Sequence, residues 1–160
     1  MSCVLRLVSH YSLLTTHYSL LNTLSSQRMA TIFTKIVRGE IPSYKIAENN
    51  THYAFLDINP IAEGHTLVIP KKEIDYVFDL PDELLGETLV FAKKIAHGID
   101  KALDTIRTGI IVEGLEVPHA HIHLVPIYSA RQNVSLRNKV DVTEDRMKEL
   151  AEIISAEVKV

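Results

Sequence analysis

The stretch HAHIHLV at residues 119–125 alternates histidine with small or apolar residues. Alternation of this kind is the signature of a β-strand, because successive side chains point to opposite faces of a sheet. The pattern predicts His119, His121 and His123 on one face, about 7 Å between neighbours. Ala120, Ile122 and Leu124 then face the core. The chain must therefore fold so that three imidazoles share one surface.

Three interpretations of that surface are open. The histidines could form a polar strand face in solvent, bind a metal, or perform nucleophilic catalysis. Zinc accepts imidazole ligands, but the residues after His123, LVPIYSARQN, contain no carboxylate to complete a site. We therefore expect no metal. A neutral imidazole is a good nucleophile toward phosphorus near neutral pH, so His121 could attack while its neighbours hold phosphoryl oxygens and move protons.

Composition narrows the class of protein. The 160 residues suit a single domain with a substantial core. The net charge of −3 argues against a nucleic-acid surface, and no apolar run of about 18 residues predicts a membrane span. The single cysteine, Cys3, excludes an internal disulfide and a four-cysteine zinc site. We expect a cytoplasmic protein with neither a nucleic-acid nor a membrane partner.

The order of the segments from Met29 onward predicts an α+β fold with an antiparallel sheet. A short helix over 31–40 precedes strands at YKIAE, HYAFLD and HTLVIP, and two further strands cover TGIIVEG and HAHIHLVPIY. The long helix begins at Pro81 and carries an apolar stripe of Leu85, Leu89, Ala92, Ala96, Ile99 and Leu103. TEDRMKELAEIISAEV predicts a C-terminal helix.

Residues 1–28 differ from the remainder. They contain no Asp or Glu, and HYSLLTT from His10 is nearly repeated as HYSLLNT from His17. We expect translation to begin at Met29, with a disordered tail or a targeting segment as the alternatives. The intact mass of the native protein distinguishes them.

Three ordered blocks carry a family resemblance. HAHIHLV resembles the His-φ-His-φ-His-φ-φ signature, with φ apolar, of the histidine-triad (HIT) superfamily. TIFTKIVRGEIPSYKIAEN and FLDINPIAEGHTLVIPKK are similar to its N-terminal and middle segments. The similarity spans about residues 30–130 and is greatest to the Hint-like nucleotide-binding hydrolases, without the cysteine zinc ligands that some relatives carry.

The resemblance implies a HIT domain at 30–134, with a five-stranded antiparallel sheet and one long helix. The segment at 135–160, with its predicted helix and no Trp, departs from the short Trp- and Pro-containing tail of eukaryotic Hint-like proteins. It implies a homodimer without a cofactor that cleaves purine nucleoside phosphoramidates or related adenylylated compounds at the α-phosphate, through a nucleotidyl-histidine. His121 would be the nucleophile, His123 the leaving-group residue, and His119 and His65 supporting residues. Asp57 would bind the ribose, or merely cap a turn. The base pocket would be Ile32, Phe33, Ile36, Phe55 and Ile58, unless the two phenylalanines are plain core.

The segment before the triad departs from the family pattern. GLEVPH places Leu115 and Glu116, followed by Val117, where close eukaryotic members have Gln and Ser facing the phosphate and leaving group. A carboxylate repels phosphate, so we expect Glu116 to favour cationic amine leaving groups over polyphosphate ones. The alternatives are a dinucleoside polyphosphate hydrolase, a non-catalytic nucleotide-binding adaptor, and a zinc or iron enzyme using the same histidines.

Overall fold

A computed structural model of the protein describes residues 30–160. The interpretation of residues 1–28 therefore lies outside the described part of the chain. The elements in chain order are α1 (Ile32–Val37), β1 (Lys45–Glu48), β2 (His52–Leu56), β3 (Thr66–Pro70), a 3₁₀ turn (Val77–Asp79), α2 (Asp82–Leu103), β4 (Arg107–Ile111), β5 (Ile122–Ile127) and α3 (Glu144–Glu157). None of these helices combines the length and apolar content that crossing a membrane requires.

The five strands form one antiparallel sheet in the order β1-β2-β3-β5-β4. This confirms the expected α+β fold. β5 lies inside the sheet, where Leu67 of β3 and Ile111 of β4 both pair with His123. The strand that carries the end of the histidine pattern is therefore held on both sides.

The two faces of the sheet bury different helices. On one face, Leu56 and Leu124 pack with α2 and α3 in the main core, through Phe91, Ile95, Ile99, Leu150 and Ile154. On the other face, Phe55 and Leu67 pack with Phe33 and Ile36 of α1. Residues of β2 alternate between the two clusters, as the two-residue period of a strand requires. The second face carries the histidines.

Two expectations about the elements need correction. The buried face of α2 consists of Thr88, Phe91, Ala92, Ile95, Gly98 and Ile99, whereas Leu89 is 46% exposed. The stripe was wrong at Leu89 because Phe91 and Ile95 face the sheet, and Leu89 lies two residues from Phe91, about 200° around the helix. The last strand begins at Ile122, not at His119. Pairing with β4 stops at Ile111, opposite His123, and pairing with β3 stops at Val68, opposite Ile122. The backbone before Ile122 bonds elsewhere, including Ala120 N to the carbonyl oxygen of Ile74 at 2.6 Å.

The C-terminal helix is present as expected. Thr143 caps its first turn by accepting a hydrogen bond from Arg146 N, and Met147, Leu150 and Ile154 are buried. Residues 129–142 are irregular, and their course brings polar side chains back toward the histidines.

Candidate active site

The three histidines share one buried surface although only His123 lies within β5. Their exposed fractions are 0% for His119, 4% for His121 and 8% for His123. Ala120 points the other way and packs with Val77 and Leu80. The predicted alternation of faces therefore holds through the irregular residues before the strand.

The tautomer of His121 is fixed by the backbone two residues earlier. Nδ1 of His121 lies 2.6 Å from the carbonyl oxygen of His119. A carbonyl only accepts hydrogen bonds, so Nδ1 carries the proton and Nε2 carries the lone pair. The ring of Phe33 packs edge-on against this imidazole, with centroids 5.3 Å apart. The lone pair is the nucleophilic position that attack on phosphorus requires.

His119 is anchored at both ring nitrogens. Its Nε2 donates to the carbonyl oxygen of Pro70 at 2.8 Å, so Nδ1 accepts from the hydroxyl of Thr31 at 2.9 Å. Thr31 is also the N-cap of α1, accepting from Thr34 N at 3.1 Å. One threonine thus joins the start of α1 to the first histidine.

A carboxylate completes this cluster. Glu73 accepts a hydrogen bond from Thr31 N at 3.2 Å and another from the hydroxyl of Thr34. Neither threonine nor Glu73 was singled out from the sequence. The only local signal was the preference for Thr at a helix N-cap, which says nothing about a histidine far along the chain.

His65 fixes the tautomer of His123. Ile61 N donates to Nδ1 of His65 at 3.3 Å, so the proton of a neutral His65 is on Nε2. That nitrogen lies 3.0 Å from Nδ1 of His123 and donates to it. His123 must then carry its own proton on Nε2, which makes it a hydrogen-bond donor toward the cavity.

Burial keeps these rings neutral near pH 7. It lowers the pKa of His65 to about 4, with the charge of Asp57 opposing the shift and that of Lys139 adding to it. Burial also lowers the pKa of His123 to about 3, helped by His121, His65 and Lys139. The pKa of His119 is lowered as well, chiefly by burial.

An apolar cavity opens in front of His121 and His123. Its wall includes every residue expected to form the base pocket, together with Asp57, Glu116 and Val117. The complete lining is Ile32, Phe33, Ile36, Ile41, Pro42, Ser43, Phe55, Asp57, Ile58, Asn59, Leu67, Glu116, Val117, His121 and His123. Ile32 and Ile58 are 47% and 71% exposed, so they form its edge. His119 and His65 support the two rings from behind.

Asp57 follows β2 and borders this cavity with a mostly buried side chain. Its Oδ1 accepts from Asn59 N at 2.8 Å, so the carboxylate does cap a turn. Its Oδ2 lies 3.6 Å from Nδ1 of His65. Capping and ligand binding are compatible, because a carboxylate has about four acceptor positions.

Asp57, His65 and His123 also form a set of potential metal ligands. One ligand atom from each lies within 4.8 Å of the others. A carboxylate with two imidazoles is a donor set that zinc accepts. The expectation of no metal considered only the residues after His123, whereas this carboxylate comes from the end of β2.

A second, smaller cavity adjoins the first and is here called the rim cavity. It is lined by Asp57, Glu113, Gly114, Leu115, Glu116, His121, His123, Leu136 and Lys139. Leu136 and Lys139 come from the irregular segment before α3. Lys139 was not identified from the sequence, because an isolated lysine in a polar segment carries no pattern.

Known proteins resemble this chain over most of its length. The sequence matches the family model described as the HIT domain over residues 38–130. It is 42% identical over 123 residues to an adenosine 5′-monophosphoramidase of Saccharomyces cerevisiae, covering 75% of each chain. It is 32% identical over 133 residues to an adenosine 5′-monophosphoramidase of Schizosaccharomyces pombe, covering 82% of this chain and 100% of that one.

Solved structures agree with the sequence matches. A Hit-like protein from Bartonella henselae superposes with a TM-score of 0.71 at 32% identity, covering 80% of this chain and 96% of that one. A Zn-bound histidine triad family protein from Mycobacterium smegmatis also gives a TM-score of 0.71, at 28% identity over 81% of this chain and 93% of that one. The chain therefore belongs to the HIT domain family.

Proposed function

We propose that this protein is a nucleotide hydrolase that cleaves purine nucleoside phosphoramidates, or related adenylylated compounds, at the α-phosphate. The observation that carries the proposal is the Nε2 lone pair of His121, whose tautomer follows from the bond of Nδ1 to the His119 carbonyl. The similarity to two yeast adenosine 5′-monophosphoramidases supports the reaction class.

The apolar cavity fits the nucleoside part of such a substrate. Phe33 and Phe55, with ring centroids 5.5 Å apart, offer an aromatic and aliphatic wall to a purine base. Asp57 at the cavity edge can accept two hydrogen bonds from the ribose hydroxyls. The base and ribose would then direct the α-phosphate toward His121 and His123.

The reaction has two steps. Nε2 of His121 attacks the α-phosphorus, the bond from phosphorus to the leaving nitrogen breaks, and its electron pair stays with the amine. The amine leaves with the proton that a cationic leaving nitrogen already carries in the substrate, while Nε2–H of the neutral His123 donates a hydrogen bond to the phosphate oxygens. The His119 carbonyl stabilises the positive charge that His121 acquires, since it accepts from Nδ1–H. Water then attacks phosphorus, loses a proton to solvent, and frees His121 and the nucleoside monophosphate as the bond from phosphorus to Nε2 breaks.

Glu116 would act on the leaving group. It borders both the apolar cavity and the rim cavity, beside His121 and His123. Its carboxylate attracts a cationic amine and repels a polyphosphate. This favours phosphoramidates over dinucleoside polyphosphates as substrates.

The experiment compares turnover of adenosine 5′-phosphoramidate by the wild type and by His121→Asn in chelator-treated buffer. The wild type should release AMP, and the variant should lose about a thousandfold or more in kcat while still binding AMP. A wild type that binds AMP without turning over any adenylylated amine would instead be a nucleotide-binding adaptor.

A metal-dependent hydrolase is the second candidate, favoured by the convergence of Asp57, His65 and His123. Elemental analysis of the purified protein separates the two. Stoichiometric zinc or iron, with activity lost on chelation and restored by the metal, would replace the metal-free mechanism.

We also propose that the protein is a cytoplasmic homodimer. β4 is at the edge of the sheet, and Ile106, Ile110 and Val112 on or beside it are 59%, 54% and 39% exposed. An exposed apolar edge strand favours pairing with another copy. Sedimentation equilibrium should give twice the chain mass, and a monomer at micromolar concentration would contradict the proposal.

A further inference from the structure

The charges around the two cavities are unfavourable for a phosphate. Three carboxylates line them, those of Asp57, Glu113 and Glu116. A nucleotide entering the site would therefore meet several negative charges, and charge that develops on phosphate oxygens needs an opposing cation or donor.

One cation is available among the described residues that line these cavities, and it is Lys139. It borders the rim cavity together with His121 and His123, the two rings that would flank the phosphorus. Its ammonium group can donate up to three hydrogen bonds, and acts on phosphate as a point charge.

The backbone around Lys139 is held in place on both sides. After it, Val140 N donates to the carbonyl oxygen of Pro60 at 2.8 Å, which ties the segment to the loop that follows Asp57. Before it, Leu136 packs against Ile61, Ala62 and Val125. Lys139 therefore projects from a segment attached to the wall of the site.

The electrostatic influence of Lys139 on the histidines is consistent with this position. Its positive charge is among the causes that lower the pKa of both His65 and His123. Both rings are hydrogen-bonded to each other, and His123 lines the rim cavity beside Lys139, so the cation is near enough to act on a ligand bound next to His123.

We propose that Lys139 binds the α-phosphate of the nucleotide and neutralises its charge against Asp57, Glu113 and Glu116. The inference rests on the proposed function and assigns a substrate contact to a residue outside the histidine pattern. In the attack by His121, the same ammonium group would face the non-bridging phosphate oxygens, whose charge must be balanced in the transition state.

The test compares AMP with adenosine, which share base and ribose but differ in the phosphate. Titration calorimetry gives both affinities for the wild type, Lys139→Met, Lys139→Arg and Arg137→Met. Arg137→Met is the matched control, because it removes one positive charge from the same segment but Arg137 borders an adjoining groove that includes neither His121 nor His123. Lys139→Met should weaken AMP binding by about tenfold or more and leave adenosine binding unchanged. Lys139→Arg should recover most of the loss.

Other outcomes overturn the inference in distinguishable ways. Unchanged AMP affinity in Lys139→Met, or an equal loss in Arg137→Met, would show that Lys139 makes no specific phosphate contact. An equal loss for adenosine would show a structural role. If the wild type bound neither compound, the proposed function itself would fail, and this inference with it.

Discussion

The Nδ1–H of His121 donates to the backbone carbonyl oxygen of His119 across 2.6 Å. The two residues are neighbours on one face of the chain because a single residue, Ala120, turns to the opposite side. The alternation therefore places the imidazoles on one face and also positions the backbone carbonyl of His119. That carbonyl determines which ring nitrogen of His121 is nucleophilic.

Thr31 is a positioning residue for this arrangement. Replacing it by Val removes the hydroxyl that donates to Nδ1 of His119, and His119 is then free to reorient. We expect kcat to fall by about tenfold with little change in KM, the size of one lost buried hydrogen bond. Thr31→Ser keeps the hydroxyl and the helix cap, and should restore kcat.

Thr51→Val is the matched control for Thr31. Its hydroxyl lies 2.8 Å from Nδ1 of His52, a buried histidine away from the site. Urea denaturation and steady-state kinetics should show that this variant loses stability but keeps kcat. Equal losses of kcat in Thr31→Val and Thr51→Val would show that Thr31 has no specific effect on the active site.

Asp57 should discriminate between sugars. Asp57→Asn keeps an oxygen for Asn59 N but loses the negative charge, so its hydrogen bonds to hydroxyls weaken. AMP affinity should fall by about tenfold or more, and that of 2′,3′-dideoxy-AMP should not change. Calorimetry that found the same loss for both nucleotides would contradict ribose binding.

Glu116 should control the choice of leaving group. In Glu116→Ser, the rate on an adenosine phosphoramidate relative to that on a diadenosine polyphosphate should fall by about fivefold, because an exposed carboxylate contributes modestly. Glu113→Ser removes the same charge from the rim cavity alone, and should change this ratio less. An unchanged ratio in Glu116→Ser would refute the hypothesis.

Stability should decrease in mild acid. The folded-state pKa values of His65 and His123, about 4 and about 3, lie below the ordinary value of 6.5. Below pH 6.5 these histidines are protonated in the unfolded chain but stay neutral in the folded protein. Each ring therefore lowers the free energy of unfolding by about 1.4 kcal/mol per pH unit, until the pH reaches the folded-state pKa of that ring.

Urea midpoints measured between pH 7.5 and pH 5 test this. They should be highest above pH 6.5 and fall steadily below it, and His65→Asn should flatten the slope. A midpoint that stays constant down to pH 5 would mean that the rings are charged in the folded protein.

Local pattern predicted much of the fold but little of the surroundings of the histidines. The alternation of faces at residues 119–124 follows from strand geometry, and it holds even where the backbone leaves the sheet. The Thr31–His119 and Glu73–Thr34 contacts join distant segments, for which no periodicity exists. The position of Lys139 depends on the hydrogen bond from Val140 N to the Pro60 carbonyl oxygen. This tertiary contact could not be predicted from the sequence, because the segment around it is polar and irregular.

The proposed covalent intermediate is tested most directly by locating it. The protein is mixed with adenosine 5′-phosphoramidate, quenched within one turnover in alkaline denaturant, digested, and examined by peptide mass spectrometry. The mechanism predicts an AMP group on the peptide that contains His121, formed before free AMP accumulates and absent from His121→Asn. An adduct on another residue, or AMP released at the wild-type rate by His121→Asn, would contradict it.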